Sequence, residues 1–195
     1  MTDLRERIVH ESLKLFSLKG FLSTSVTDIL EAAGTSKGGF YNHFSSKEDL
    51  FLEVLEEARR IWREKTLQGL DGIDSPTGKV IRLLENYRDR YLKDTEDFPG
   101  GCVFVTFSVE LDDQRQHLAQ EVNRGFVGLK GMLGRLLEEG KQLGELRGDV
   151  PADDIVEMLF SGMVGCSVLY GVNKSADDLD RSIGSLVAFL EGLRP

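Results

Sequence analysis

The chain has 195 residues, room for one ordinary domain or for one domain with a small appendage. Its 24 Lys and Arg against 33 Asp and Glu give a net charge of −9, which excludes a protein that coats nucleic acid through a uniformly basic surface. Hydrophobic residues at 41% and charged residues at 29% fit a globular chain with a real core and exclude dominant disorder.

Two cysteines, Cys102 and Cys166, make neither a disulfide framework nor a CxxC metal spacing, and read as reduced thiols in a cytoplasmic protein. Met1-Thr2-Asp3-Leu4-Arg5-Glu6 turns charged at once and lacks the apolar core of a signal peptide. The stretch from Ile155 to Val172 is apolar over helical length. It contains Glu157 and the small residues Ser161, Gly162, Gly165, Cys166 and Ser167, so a buried or interfacial helix is expected rather than a membrane span.

Helical spacing dominates, and an all-α fold of about nine helices is expected. Leu4, Ile8, Val9, Leu13, Leu15 and Phe16 share the apolar side of a first helix that Gly20 ends. Ser25 caps a short second helix, with Asp28 in its first turn and Val26, Ile29 and Ala33 inward. Gly34 stops it, and Thr35 or Ser36 caps a third piece from Lys37 to His43 that points Phe40 and Phe44 the same way. A capping box from Ser45 to Glu48 launches a long helix through about Thr66. After a linker from Asp71 to Ser75, Pro76 opens a helix that reaches about Lys93. Phe98-Pro99-Gly100-Gly101 interrupts the chain before a helix from Cys102 to Leu111. Asp112-Asp113 breaks it again before a long helix from Gln114 to Leu146. Helices from Ala152 to Val172 and from Ala176 to Leu193 complete the order, the last capped by Ser175. Within the long helix, Gly125, Gly128, Gly131 and Gly134 recur every three residues; close approach of a neighbouring helix is the first explanation, room for a ligand the second.

Two short helices joined at Gly34 form a helix-turn-helix, the unit that lays its second helix in the DNA major groove. With Phe40 and Phe44 inward, the outer surface offers Lys37, Tyr41 and Asn42 beside Gly38 and Gly39, whose bare backbone permits close approach. In addition, Leu15-Phe16, Gly20-Phe21, Thr24-Ser25-Val26, Asp28-Ile29, Ala33-Gly34-Thr35-Ser36-Lys37-Gly38, Phe40-Tyr41-Asn42-His43-Phe44 and Ser46-Lys47-Glu48-Asp49-Leu50 stand in order. In these matches the sequence resembles the TetR family of bacterial transcriptional repressors. Leu30 and Gly39 depart mildly from the family pattern, and beyond Leu50 the resemblance rests on helix order and length.

The resemblance implies a three-helix DNA-binding domain at 1–47 and a larger helical ligand-binding and dimerisation domain at 48–195. Lys37 would reach a guanine edge or a phosphate, and Tyr41 would donate its hydroxyl to a phosphate. Gly38 and Asn42 would face the duplex, and His43 and Lys47 would touch its backbone. Ser25, Thr27 and Ser36 would add hydroxyl or N–H contacts at helix starts, with capping alone the equal alternative for Ser25 and Ser36. Charge agrees: residues 1–47 carry six basic and five acidic residues, net +1, and residues 48–195 carry 18 and 28, net −10.

The family further implies a homodimer built by the last two helices, through Met158, Gly162, Gly165, Cys166, Leu169, Ile183, Leu186 and Leu190. Two-fold symmetry implies a pseudo-palindromic double-stranded DNA operator. A small-molecule effector would enter among Trp62, Tyr87, Tyr91, Cys102, Thr106 and Phe126, with Phe104 and Phe107 also candidates, although aromatics at helical spacing usually pack as core. Cys102 follows a glycine pair at a helix start, where the dipole lowers a thiol pKa. Gly101-Cys102 followed by Val109-Glu110-Leu111 resembles a TetR subfamily in which some members sense electrophiles or oxidants there; an inert buried thiol is the plainer reading. The histidines His10, His43 and His117 are far apart in sequence, and no Ser/His/Asp, paired-carboxylate or metal spacing stands out. An enzyme, a cofactor and a metal are therefore not expected, and a helical adaptor remains the competing binding protein.

Overall fold

The computed structural model describes residues 3–195, and among these every regular element is helical. Nine α-helices follow in order: α1 (Leu4–Lys19), α2 (Val26–Ala32), α3 (Lys37–Tyr41), α4 (Lys47–Thr66), α5 (Pro76–Asn86), α6 (Val103–Leu111), α7 (Gln116–Gln142), α8 (Ala152–Asn173) and α9 (Ala176–Glu191). They divide into two compact units. The first joins the chain up to Trp62 with Asp94–Asn123, and the second joins Arg63–Lys93 with Arg124–Pro195.

The sequence places most helix ends through their caps. Ser25, Ser75 and Ser175 each accept a backbone N–H from the third residue of the helix they open. At α4 the expected capping box is one residue out of register. Ser46 Oγ accepts the Asp49 N–H at 3.0 Å, and Asp49 reaches back to the Ser45 N–H at 2.8 Å. Ser45-Ser46 and Glu48-Asp49 offer two consecutive registers, and the helix starts at Lys47, so Ser46 caps it while Asp49 returns its bond one residue further back, to Ser45. The helix expected to run unbroken to Lys93 instead widens after Asn86 into a π turn, Tyr87–Leu92. Asn86 Nδ2 donates to the Thr66 and Gln68 carbonyls, capping the last turn of α4. Lys93, which follows that turn, and Arg88 within it pair with Asp180 of α9 at 3.0 and 3.3 Å.

The core of the first unit is aromatic. Phe16, Phe21, Phe51 and Phe107 are almost fully buried, with ring centroids 4.8–6.5 Å apart. These rings come from α1, the turn after it, α4 and α6, so one cluster ties all three helices together. Phe107, a ligand candidate from sequence, is core: it has no exposed surface and packs against both Phe16 and Phe51. Ile29 and Phe40 add the two short helices to the same buried set.

In the second unit, α8 and α9 pack along each other with Leu159, Met163, Leu179, Ile183 and Leu190 buried. α8 is long and apolar enough to cross a membrane, yet its inner side lies in this core. Three glycines of the α7 series differ in surroundings: Gly128 has open space where a side chain would stand, Gly131 meets Arg135 of its own helix, and Gly134 faces Val156 of α8 at an ordinary contact distance.

Candidate nucleic-acid interface

The turn between α1 and α2 sets the geometry of the helix-turn-helix. Gly20 closes α1 at φ 81°, a left-handed conformation that side chains resist. Thr24 Oγ1 donates back to the Gly20 carbonyl at 2.7 Å, and Ser25 then caps α2. That cap is reciprocal: Ser25 Oγ accepts the Asp28 N–H at 3.1 Å, and Asp28 Oδ2 accepts the Ser25 N–H at 2.7 Å. The Ser25 hydroxyl also donates to Asp28, and these bonds hold the Asp28 carboxyl below its ordinary range. Gly34, at φ 56°, turns the chain into α3, where Ser36 Oγ accepts the Gly39 N–H at 3.1 Å.

α3 ends at Tyr41, two residues short of the expected end at His43. Gly38 and Gly39 weaken its propensity, and the chain tightens as the His43 and Phe44 N–H groups both reach the Phe40 carbonyl. Phe40 and Phe44 are buried with ring centroids 5.6 Å apart, as their spacing predicts. Lys37, Gly38, Tyr41, Asn42 and His43 are all exposed, so one short segment presents a cation, a phenol, an amide and an imidazole over bare backbone. Tyr41 is 48% exposed although its ring edge packs on Phe40, an arrangement that fixes the ring and frees the hydroxyl. Ser25, Thr27 and Ser36 are also exposed at the two helix starts.

Lys47, expected at the DNA backbone, is held by bonds within the chain itself. Its Nζ donates to the Phe21 and Thr24 carbonyls, each at 2.9 Å, and lies 4.4 Å from the Phe21 ring centroid. Burial lowers the Lys47 pKa, against the opposing pull of Glu110. From the other side, Glu110 Oε2 accepts the Phe21 N–H at 2.7 Å. Burial raises the Glu110 pKa, partly offset by the Phe21 and Leu22 N–H groups and by Lys47. Glu110 had no role in the sequence reading. Its signal was there: it is the lone charge on the mostly apolar helix Val103–Leu111.

The six effector candidates do not gather in one unit. Tyr87 and Tyr91 stack in the second unit, 5.5 Å apart and 20° from parallel, and the Tyr87 hydroxyl donates to the Met163 carbonyl at 3.3 Å. Phe126 packs edge-on against Phe160 in the same unit. Trp62, Cys102 and Thr106 belong to the first unit, where Cys102 is half-buried at the start of α6 and its carbonyl accepts from Thr106 Oγ1. Of the dimer candidates, Cys166, Ile183 and Leu190 are buried in the chain's own α8–α9 packing, whereas Leu169 is 60% exposed. Met158, Gly162, Gly165 and Leu186 are partly exposed. Val172 of α8 and Phe189 of α9 are further large apolar side chains exposed on these two helices.

Residues 8–54 match the family profile described as "Bacterial regulatory proteins, tetR family", and residues 76–186 match "Tetracyclin repressor-like, C-terminal domain". The HTH-type transcriptional repressor DhaR of Mycobacterium sp. (strain GP1) is 28% identical over all of this chain and 94% of its own length. A TetR transcriptional regulator from Chloroflexus aurantiacus J-10-FL superposes with a TM-score of 0.89 at 29% identity, over 96% of this chain and 93% of that one. A cysteine mutant of the TetR-family regulator CifR, solved with 26-bp double-strand operator DNA, shares the fold at a TM-score of 0.82 and 20% identity, over 96% of each chain. The chain therefore belongs to the TetR family of bacterial transcriptional regulators.

Proposed function

We propose that this regulator is a cytoplasmic repressor that binds a pseudo-palindromic operator as a homodimer and leaves it when a small molecule binds. The observation that carries the reading is the α3 surface: Lys37, Tyr41, Asn42 and His43 exposed around Gly38, over a buried Phe40 and Phe44. Nothing in a core-only helix calls for that composition. Lys37 supplies a guanine or phosphate contact, and Tyr41, Asn42, His43 and Thr27 supply contacts along the strand. Ser25 and Ser36, occupied as caps, contribute through the helix starts they hold in place.

DNA recognition is assigned to the head at 1–47, and dimerisation and effector binding to 48–195. The exposed apolar side of α8 and α9, with Leu169, Val172 and Phe189, suits the second protomer. In the second unit, the stacked Tyr87 and Tyr91 on their π turn, with Phe126, suit an apolar or aromatic effector. Effector release then works as a population shift, favouring a dimer whose recognition helices no longer match two successive major grooves.

A mobility shift with the DNA upstream of the chain's own gene tests this. Specific binding should fall steeply with salt, and Lys37→Ala should reduce the log–log salt slope by about 0.9, the loss of one phosphate contact. Tyr41→Phe should weaken binding roughly tenfold, the scale of a hydrogen bond to a charged group, while leaving the dimer folded. Equal affinity of Tyr41→Phe and wild type removes Tyr41 from the contact list, and the absence of any specific complex refutes the reading.

A further inference from the structure

Glu110 lies on α6, 89 residues after the turn it grips. Its carboxylate takes the Phe21 N–H at 2.7 Å and the Leu22 N–H beside it, two backbone donors of the turn that follows α1. It fills the space beside Gly20 so closely that any Cβ at position 20 would collide with it. Lys47 of α4 grips the same segment from its carbonyl side, at Phe21 and Thr24. Every polar group of the Phe21 peptide is thus held by a charged side chain from outside the helix-turn-helix, and Ser25, which starts α2, follows directly after Thr24. The two charges attract each other across the segment they hold. At the other end of the α6 region, the Gly100 N–H donates to Ser17 Oγ at 3.0 Å, so α1 and its exit turn are fastened to the same stretch of chain twice.

We propose that Glu110 and Lys47 are positioning residues for DNA recognition, a two-sided clamp on Gly20–Thr24 that sets the angle at which α2 leaves α1 and so where α3 meets the groove. The proposal rests on the DNA-binding reading above. It removes Lys47 from the phosphate contacts, and it makes an acidic residue favourable to binding a polyanion. Plain electrostatics gives Glu110 the opposite sign, because deleting a negative charge beside the head should tighten DNA binding.

The test uses the full chain and labelled DNA from upstream of its own gene, titrated by fluorescence anisotropy from about 50 to 300 mM salt, a range over which phosphate contacts register. Glu110→Ala should lose at least about tenfold in affinity at every salt, the scale of one charge-assisted hydrogen bond, with the salt slope unchanged. Glu110→Gln keeps an acceptor oxygen and should recover most of that loss. Lys47→Met should likewise lose affinity at constant slope, in contrast to Lys37→Ala, whose slope falls. Hydrogen exchange should quicken at Phe21 and Leu22 in Glu110→Ala and remain unchanged in α8 and α9. Unchanged or tighter binding by Glu110→Ala overturns the clamp, and so does a slope drop of about 0.9 in Lys47→Met. If wild type forms no specific complex, the DNA reading fails. The exchange of the Phe21 amide then still decides whether Glu110 holds the turn: unchanged exchange in Glu110→Ala overturns it, or in Glu110→Leu, which also lacks an acceptor, should the alanine variant not fold.

Discussion

Phe107 is the most exacting test of how the first unit is built. It has no exposed surface, and its ring lies 4.8 Å from that of Phe51 and 6.2 Å from that of Phe16. Phe107→Ala removes a fully buried aromatic side chain and two edge-on ring contacts, each worth about 0.5–1.5 kcal/mol beyond its area. Buried Phe→Ala changes cost about 3–5 kcal/mol, ring contacts and cavity included, against a total stability of roughly 5–15 kcal/mol. For a chain of this size that is a fall in Tm of roughly 6–20 °C, read by calorimetry or by circular dichroism at 222 nm. Phe107→Leu, which keeps most of the apolar volume, should cost about 1–2 kcal/mol. Hydrogen exchange should place the loss in α1, α4 and α6 together, because one cluster joins them. A Tm within about 2 °C of wild type would refute the reasoning, since the residue would then line an open site and not fill a core.

Two further outcomes follow from caps and from the apolar face. Ser25→Ala should cost about 1 kcal/mol by removing the α2 cap, measured by urea denaturation, and Ser25→Asn, which also caps, should restore most of it; a loss of DNA affinity without a loss of stability would instead make Ser25 a direct contact. Leu169→Arg, at a residue 60% exposed in one chain, should leave each protomer folded and shift light scattering toward the monomer; an unchanged dimer mass would move the interface elsewhere.

Local rules carry most of the fold. Ser25 with Asp28, Ser75 with Pro76, and Ser175 with Asp178 each fix a helix start within four residues, so the sequence states them directly. The Ser46–Asp49 cap was misplaced by one residue because two adjacent serines and two adjacent acids satisfy the same rule. The outward residues of α3 were legible from the spacing of Phe40 and Phe44. Lys47 was not, since on a short motif a basic side chain looks alike whether it points at solvent or at two carbonyls. Glu110 was hidden for a related reason: its partners lie on the exit turn of α1 and on α4, and helical periodicity carries no information over that separation, whereas the core packing of Phe107 followed from its spacing. The π turn at Tyr87–Leu92 escaped because tyrosines four apart fit an α-helix equally well.

The close fit of the Glu110 carboxylate against Gly20 has a consequence for protein engineering. Chimeric regulators are made by joining the recognition head of one repressor to the sensing domain of another, with the seam placed after the helix-turn-helix. In this chain a seam near residue 47 would separate a glycine from the carboxylate shaped to it. A foreign head with any larger residue at position 20 would displace the Glu110 carboxylate from its N–H partners, and this head on a foreign body would keep an empty notch and two unclaimed N–H groups. The exchangeable module is therefore discontinuous: the head travels together with α6, or position 110 is rebuilt to suit the new turn.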